Sequence, residues 1–455
     1  MLRTNIDKVH MKTAEKKAHR IVAQLQQAGH TAYLAGGCVR DHLLGRQPKD
    51  YDIATDAKPE EIQALFSKTL DIGAAFGAVV VVDDGIPFDV TTFRSEAGYT
   101  DNRHPEAVTF TDAKADARRR DFTVNGLFYD TREDTVIDYV DGRKDLEAHL
   151  IRAIGDPAER FNEDYLRMLR AVRFAATLDF SIEDQTATAI RQAAHHITSI
   201  SAERVRDELV RLLVEAPRSG DALLMLRSCG LLEHILPEVE AMSGQEQPPE
   251  FHPEGDVLTH TVMMLNSMTN ADTQLAFAVL LHDVGKPPTA KTVREDDGSE
   301  RIRFDRHANV GADMAEDILR RLRFSRSEIE AITTCIRGHM RFMDVQSMRD
   351  ATLRRLIGRP TFETELELHR LDCLCSHGAL DNYAFLEDFR TALRNAPVLP
   401  PPWISGHDIM KLGVREGPRV GHWLRVAYEA QLNTQFGNRE ELLAWLKEQI
   451  PSNAD

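Results

Sequence analysis

GGCVRDHLLGRQPKDYDIATDAKPEEIQALF, residues 36–66, sets a pair of glycines between a strand candidate, Ala32–Ala35, and a helix candidate, Val39–Leu44. Glycines at a strand-to-helix turn let backbone N–H groups approach a phosphate at the helix N-terminus, which nominates Gly36, Gly37 and Arg40. Asp50 and Asp52 follow on the next strand, predicted around Tyr51–Thr55, where residues two apart point to the same side. A carboxylate pair so placed can grip divalent ions, and two ions about 4 Å apart can activate a hydroxyl and stabilise a leaving pyrophosphate. Asp89, on a neighbouring predicted strand, is the third acid of the set. Taken alone, the same pattern also describes a solvated Asp-x-Asp turn.

Working outward, residues 8–28 carry Ile21, Val22 and Leu25 at helical spacing and stop at Gly29. Further strands are predicted at Ala78–Val82, Phe88–Phe93 and Thr135–Tyr139, with a helix at Pro59–Phe66. That mixture describes an α/β head over residues 1–150. From about Asp156 the β-branched runs disappear and helical periodicity dominates to the C-terminus, predicting an all-α remainder and an α+β chain overall. Two Pro-rich stretches, Ser243–Gly255 (SGQEQPPEFHPEG) and Ala396–Trp403 (APVLPPPW), mark boundaries. They divide the remainder into 151–240, 241–395 and 396–455, with the charged Val293–Arg301 as a loop tip inside the middle part.

Composition narrows the partners. The net charge of −16 argues against a protein that coats nucleic acid through bulk electrostatics. A polynucleotide substrate requires segregated basic residues, and clusters exist at Arg118–Arg120, at Arg167, Arg170 and Arg173, and at Arg320, Arg321, Arg323 and Arg326. No apolar run approaches the roughly 20 residues of a bilayer span, and the N-terminus lacks a secretory pattern. A cytoplasmic protein without a membrane partner is expected. Cys38, Cys229, Cys335, Cys373 and Cys375 form no CxxC pair, so they are expected to be reduced and structural.

Residues 36–66 resemble motif A of class II CCA-adding enzymes and bacterial poly(A) polymerases, which share a polymerase β-like nucleotidyltransferase head with a mixed sheet and flanking helices. Four more segments continue the resemblance in order. RRRDFTVNGLFYD (Arg118–Asp130) is similar to motif B, and DYVDGRKDL (Asp138–Leu146) to motif C. EDYLR (Glu163–Arg167) is similar to motif D, and SAERVRDEL (Ser201–Leu209) to motif E. The resemblance implies an all-α neck and RNA-binding body after the head. It implies Mg²⁺ on Asp50 and Asp52, and a nucleotide site that includes Arg119, Arg120, Asp121, Asn125, Asp164, Arg167, Arg170 and Arg173. Arg119, Arg120 and Asn125 would hold the triphosphate and sugar, a task suited to the guanidinium fork. Asp164 and Arg167, three apart on a predicted helix, would share a face and read the base. A carboxylate accepts from cytosine N4 or adenine N6, an Arg donates to cytosine O2/N3 or adenine N1, and the reversed edges of uracil and guanine suit neither. The implied substrates are tRNA, CTP and ATP.

Within this family, members that add only CC resemble a pattern with a shortened loop between motifs A and B, whereas Arg94–Arg118 resembles the full-length version. Bacterial poly(A) polymerases resemble a pattern with paired basic residues before a Phe and a basic C-terminal arm. This chain has Gly73-Ala74-Ala75-Phe76-Gly77 and an acidic balance. Both features favour CCA addition, with poly(A) addition as the alternative. Ile404–Leu446 is similar to the tail of CCA-adding enzymes. The chain departs from the family at Gly126, where Ala is usual, and at Asp89, where Glu is common and reaches further.

In the middle part, His260, His282-Asp283 and Asp372 follow the H…HD…D order of the HD superfamily, with His307 and His339 between. Imidazole and carboxylate ligands from several helices suit a divalent transition metal, and six ligands suit two ions. FHPEGDVLTHTVMML (Phe251–Leu265), AFAVLLHDVGKP (Ala276–Pro287) and RHANVGADMAEDILRRLRF (Arg306–Phe324) resemble the HD domain attached to some bacterial CCA-adding enzymes. That implies phosphatase and 2′,3′-cyclic phosphodiesterase activity. A hydrolase whose head only binds RNA is the rival reading.

Overall fold

The structure, a computed structural model, describes residues 2–73, 77–99, 105–248, 250, 252–294, 300–393 and 397–451. The centre of the Gly73–Gly77 pattern, part of Arg94–Arg118, the tip of Val293–Arg301, Pro249, Phe251 and Ala396 lie outside those residues. The chain divides into two compact units, Met1–Glu240 and Ala241–Asp455.

In the first unit the strands are β1 (Ala32–Ala35), β2 (Asp52–Thr55), β3 (Thr69–Gly73), β4 (Ala78–Asp83), β5 (Ile86–Thr92), β6 (Arg94–Tyr99), β7 (Pro105–Phe110), β8 (Leu127–Asp130) and β9 (Thr135–Asp138). Among the described residues, seven form one mixed sheet in the order β3-β4-β5-β2-β1-β8-β9, while β6 and β7 make a separate hairpin. The β4–β5 turn is Asp84-Gly85, both with positive φ, the two-residue connection whose twist matches its flanking strands. Side-chain alternation assigns the faces. Leu34, Ile53, Val79, Val81 and Val90 pack against Ala18, Ile21, Val22 and Leu25 of the helix Leu2–Gln27. Ala35, Ala54, Phe93 and Phe128 pack on the opposite face with Ala113 and Ala117. Each large apolar side chain so buried contributes roughly 1.5–3 kcal/mol.

Two local expectations need correction. Asp50 precedes β2 rather than lying on it, so the strand alternation invoked for the Asp50 and Asp52 pair does not apply. The stretch after Arg94 is partly strand, because its alternating residues pair as β6 and β7.

After β9 the first unit is helical apart from a short parallel pair, Leu150–Ile151 with Ser181–Ile182. Among the described residues the second unit is also helical, with one exception to the all-α expectation. Ala290–Arg294 pairs antiparallel with Glu300–Phe304, where period-two patterning in ERIRF favours a strand.

One glycine in this unit fixes how the segment after His282-Asp283 meets the helix His307–Arg321. A Cβ on Gly285 would lie 2.3 Å from the His307 carbonyl oxygen and 2.5 Å from the Gly311 nitrogen. Neither backbone group can yield cheaply. Gly285→Ala is therefore expected to destabilise the unit by roughly 3 kcal/mol, lowering its calorimetric transition by roughly 6–12 °C. An unchanged transition would show that the segments separate without cost.

Candidate functional site

A cavity of about 990 Å³ in the first unit is lined by Gly36, Gly37, Arg40, Asp50, Asp52, Asp89, Arg119, Arg120, Asp121, Asn125, Asp164, Arg167, Arg170 and Arg173, among others. The structure thus brings every sequence-nominated head residue to one concavity. The register Ile53↔Val90 in the parallel β2–β5 pair sets Asp52 beside Asp89 on one sheet face. Asp50 enters from the loop before β2. Burial pushes the Asp52 carboxyl up to about 6; Arg120 opposes the shift, while Asp89 and Asp50 add to it. Burial and the charge of Asp50 also raise Asp89. A half-buried Asp52 whose ionisation is hindered, with the exposed Asp89 and Asp50 beside it, fits a divalent cation, which would reverse that penalty.

The glycine turn is a close approach. Gly36 has φ +72, and a Cβ there would sit 2.9 Å from the Arg120 Nη1. Arg120 and Arg119 are both held by Asp116, at 3.1 and 2.8 Å, and Asp116 is fully buried. Asp116 was not nominated from sequence. Its signal was available, since it precedes the two arginines by three and four residues in the helix Ala113–Arg119. Arg40 donates to the Asn125 side chain at 2.7 Å and pairs with Asp41. Below them runs an ion-pair network. Arg170 pairs with Asp121 at 2.6 Å and with Glu208 at 3.5 Å, and Arg173 pairs with Glu208. Burial works to raise Asp121, but Arg170 outweighs it and holds the carboxyl down at about 2.

Asp164 and Arg167 do not share a helix face. Asp164 lies between the helices Pro157–Glu163 and Leu166–Leu178 with φ −155, because its carboxylate accepts the Leu166 N–H at 3.0 Å and so breaks the helix. Nor do they pair with each other. Asp164 takes Arg204 Nη2 at 2.6 Å, while Arg167 donates to Glu163 and to the Arg160 carbonyl. Arg204 lines the same cavity and was missed.

In the second unit His260, His282, Asp283, His307, His339 and Asp372 converge. Their ligand atoms fall into overlapping groups, His260/His282/Asp283 and Asp283/His307/His339. Each imidazole is oriented through Nδ1. His282 faces the Val279 carbonyl at 2.8 Å, His307 the Phe304 carbonyl at 2.9 Å, His339 the Ile336 carbonyl at 2.6 Å, and His260 the Glu254 carboxylate at 2.6 Å. Acceptors at Nδ1 turn each Nε2 toward the others, and at His260 burial is outweighed by the Asp372 and Glu254 carboxylates, which raise the imidazole to about 9. His307 and His339 turn Nε2 toward Nε2 at 3.2 Å, and the buried Nε2 of His282, 3.1 Å from Asp283 Oδ2, makes no aligned hydrogen bond, nor does that of His260. Asp372 Oδ1 lies 3.2 Å from His260 Nε2. Imidazole nitrogens and carboxylate oxygens converging in a buried space without aligned hydrogen bonds are what a cation would satisfy, so these residues fit a metal. Burial would raise Asp283, but His282 and Lys286 hold its carboxyl well below the usual range. Lys286, buried 2.7 Å from Asp283 and 2.6 Å from Gln247 Oε1, and Glu254 were quoted in the sequence but given no role.

Three family descriptions match the chain: "Poly A polymerase head domain" over residues 32–152, "Probable RNA and SrmB- binding site of polymerase A" over 179–242, and "HD domain" over 256–374. The CCA-adding enzyme of Levilactobacillus brevis is 46% identical over 228 residues, covering 50% of this chain and 56% of that enzyme. At the head of the comparison, then, the chain spans about half the length of the curated relatives it matches. That of Lactobacillus gasseri is 34% identical over 425 residues, 92% of this chain and 94% of the relative. The crystal structure of the Bacillus stearothermophilus CCA-adding enzyme in complex with CTP superimposes with a TM-score of 0.73 at 29% identity, covering 95% of this chain and 97% of that one. The Thermotoga maritima enzyme complexed with tRNA shares the fold, with a TM-score of 0.60 at 18% identity. A match at 34% identity along nearly the whole of both chains, on a shared fold, means that this chain belongs to the family of CCA-adding enzymes.

Proposed function

We propose that this protein adds CCA to tRNA 3′ ends from CTP and ATP without a nucleic-acid template. The observation that carries this reading is one cavity lined both by three acids, Asp50, Asp52 and Asp89, and by the separately held Asp164 carboxylate and Arg167 guanidinium. Asp50 and Asp52, with Asp89 beside them, would hold Mg²⁺, and bound Mg²⁺ supplies hydroxyl activation and neutralisation of the leaving pyrophosphate. Arg119 and Arg120, fixed by Asp116, bind the triphosphate. Arg40 and Asn125 orient the sugar side of the nucleotide, and Gly36 lets the backbone come close. Arg170 and Arg173 hold the floor through Asp121 and Glu208. Asp164 accepts the exocyclic amine of cytosine or adenine, and Arg167 donates to the ring acceptor beside it. Residues 1–150 act as the head, 151–240 as neck and RNA-binding body, and 396–455 as the tail.

The second unit adds a phosphohydrolase, acting as a phosphatase or 2′,3′-cyclic phosphodiesterase, carried by its orphaned imidazole nitrogens. His260, His282, Asp283, His307, His339 and Asp372 would hold a divalent transition metal, and bound metal supplies an activated water. Lys286 keeps Asp283 ionised and adds positive charge where a phosphate would sit.

The test uses purified protein, tRNA lacking its last three nucleotides, Mg²⁺ and labelled CTP or ATP. CCA addition predicts growth that stops after the third nucleotide. A ladder of A would instead mean a poly(A) polymerase, and phosphate release without incorporation would mean a hydrolase whose head only binds RNA.

A further inference from the structure

We propose that Arg204 is a positioning residue for nucleotide choice, holding the Asp164 carboxylate so that it faces an incoming base rather than Arg167. The inference rests on the reading of Asp164 and Arg167 as the base-reading pair. Opposite charges three residues apart on adjoining backbone attract, and a direct Asp164–Arg167 pair would consume the groups meant for the base. The structure keeps them apart with separate partners. Arg204 Nη2 lies 2.6 Å from Asp164 Oδ2, and the Leu166 N–H donates to Oδ1 at 3.0 Å. With one donor on each oxygen, the carboxylate cannot swing about its last torsion, yet each oxygen retains a lone pair for an amine. Arg167 has its own holders in Glu163 and the Arg160 carbonyl.

Arg204 is suited to this because its own base is rigid. It projects from the helix Ala202–Glu215, whose Val205, Leu209, Leu212 and Leu213 are buried and whose Glu208 is clamped by Arg173. Its side chain is 23% exposed at the cavity wall, so its charge acts in a partly dry setting. A guanidinium with a fixed stem transmits the position of one helix to the reading group of another. The effect belongs to base choice and not to the transfer step, since the acids at Asp50, Asp52 and Asp89 lie elsewhere in the cavity.

The experiment measures kcat/KM for CTP against UTP on tRNA lacking CCA, for the full chain and for Arg204→Ala, Arg204→Lys, Asp164→Ala and the Arg204→Ala/Asp164→Ala double variant. Arg204→Ala is expected to lower the CTP:UTP ratio by roughly tenfold, the size of one lost charge-assisted hydrogen bond. Arg204→Lys should restore part of it, and the double variant should discriminate no worse than Asp164→Ala alone, because the two residues act through one carboxylate. If Arg204→Ala slows all nucleotides equally and keeps the ratio, the residue is merely structural and the inference is overturned. If Asp164→Ala keeps the ratio, it is the base-reading assignment itself that fails. Should Arg204→Ala fold poorly, Arg204→Lys decides: a CTP:UTP ratio between those of the parent and Asp164→Ala supports the coupling, and the parent's ratio with all nucleotides slowed equally overturns it.

Discussion

Asp52→Asn is expected to abolish nucleotide addition, reducing the single-turnover rate of CMP incorporation on the order of 10³-fold or more, about 4 kcal/mol of barrier. The substitution keeps shape and removes charge. Asp52 is the most confined of the three acids, being half-buried at the start of β2 where Asp50 and Asp89 are exposed, next to Asp89 in register and within the field of Arg120. Its charge is costly in the free protein, as the carboxyl pushed up to about 6 records. A fold tolerates such a cost where a bound cation recovers it. Without that charge the cavity keeps its arginines, which would bind a triphosphate but leave the attacking hydroxyl unassisted. The variant should therefore retain CTP affinity in equilibrium dialysis and the melting temperature of the parent. A rate within tenfold of the parent at saturating Mg²⁺ would remove Asp52 from the chemistry and, with it, the assignment of this cavity as a transfer site.

How much of this was legible in the sequence follows from how local each signal was. The glycine turn and the Asp-x-Asp pair depend on spacing within one short segment, which reaches the cavity, while the histidines sit in short helical words whose ligand atoms converge. The failures are long-range or depend on where a helix breaks. EDYLR continues a helical pattern on both sides, yet Asp164 leaves the helix because its carboxylate caps the next one. Arg204 meets Asp164 across 40 residues and Arg170 meets Asp121 across 49, distances over which no periodicity speaks. Glu254 and Lys286 sat inside quoted motifs but gain meaning only when His260 and Asp283 are seen beside them. Asp116 is the instructive miss, since its i,i+3 and i,i+4 spacing to Arg119 and Arg120 could have been read locally.

A second large effect separates the two units' chemistry. His282→Ala is expected to lower phosphate release from a 2′,3′-cyclic nucleotide by roughly 10²–10³-fold, the range seen when a group directly supporting the reacting atoms is removed, while CCA addition continues. Activity alone would not distinguish a lost ligand from a loosened core, because His282 is buried and a truncation there leaves a void. Metal content and a matched control do. His369 is also buried, stacked on Phe342 and in contact with Cys373, and it is outside the converging set. His369→Ala should cost about 2–4 kcal/mol of stability as a core truncation, yet keep its metal by plasma mass spectrometry and the rise in melting temperature on adding Mn²⁺. His282→Ala should lose both the metal and that rise. The contrast follows from what each imidazole faces: His369 meets a ring and a thiol, whereas the His282 Nε2 lies 3.1 Å from the Asp283 carboxylate within the converging set. If His282→Ala bound as much metal as His369→Ala, the opposed nitrogens would need another explanation, and the phosphohydrolase reading of this unit would fall.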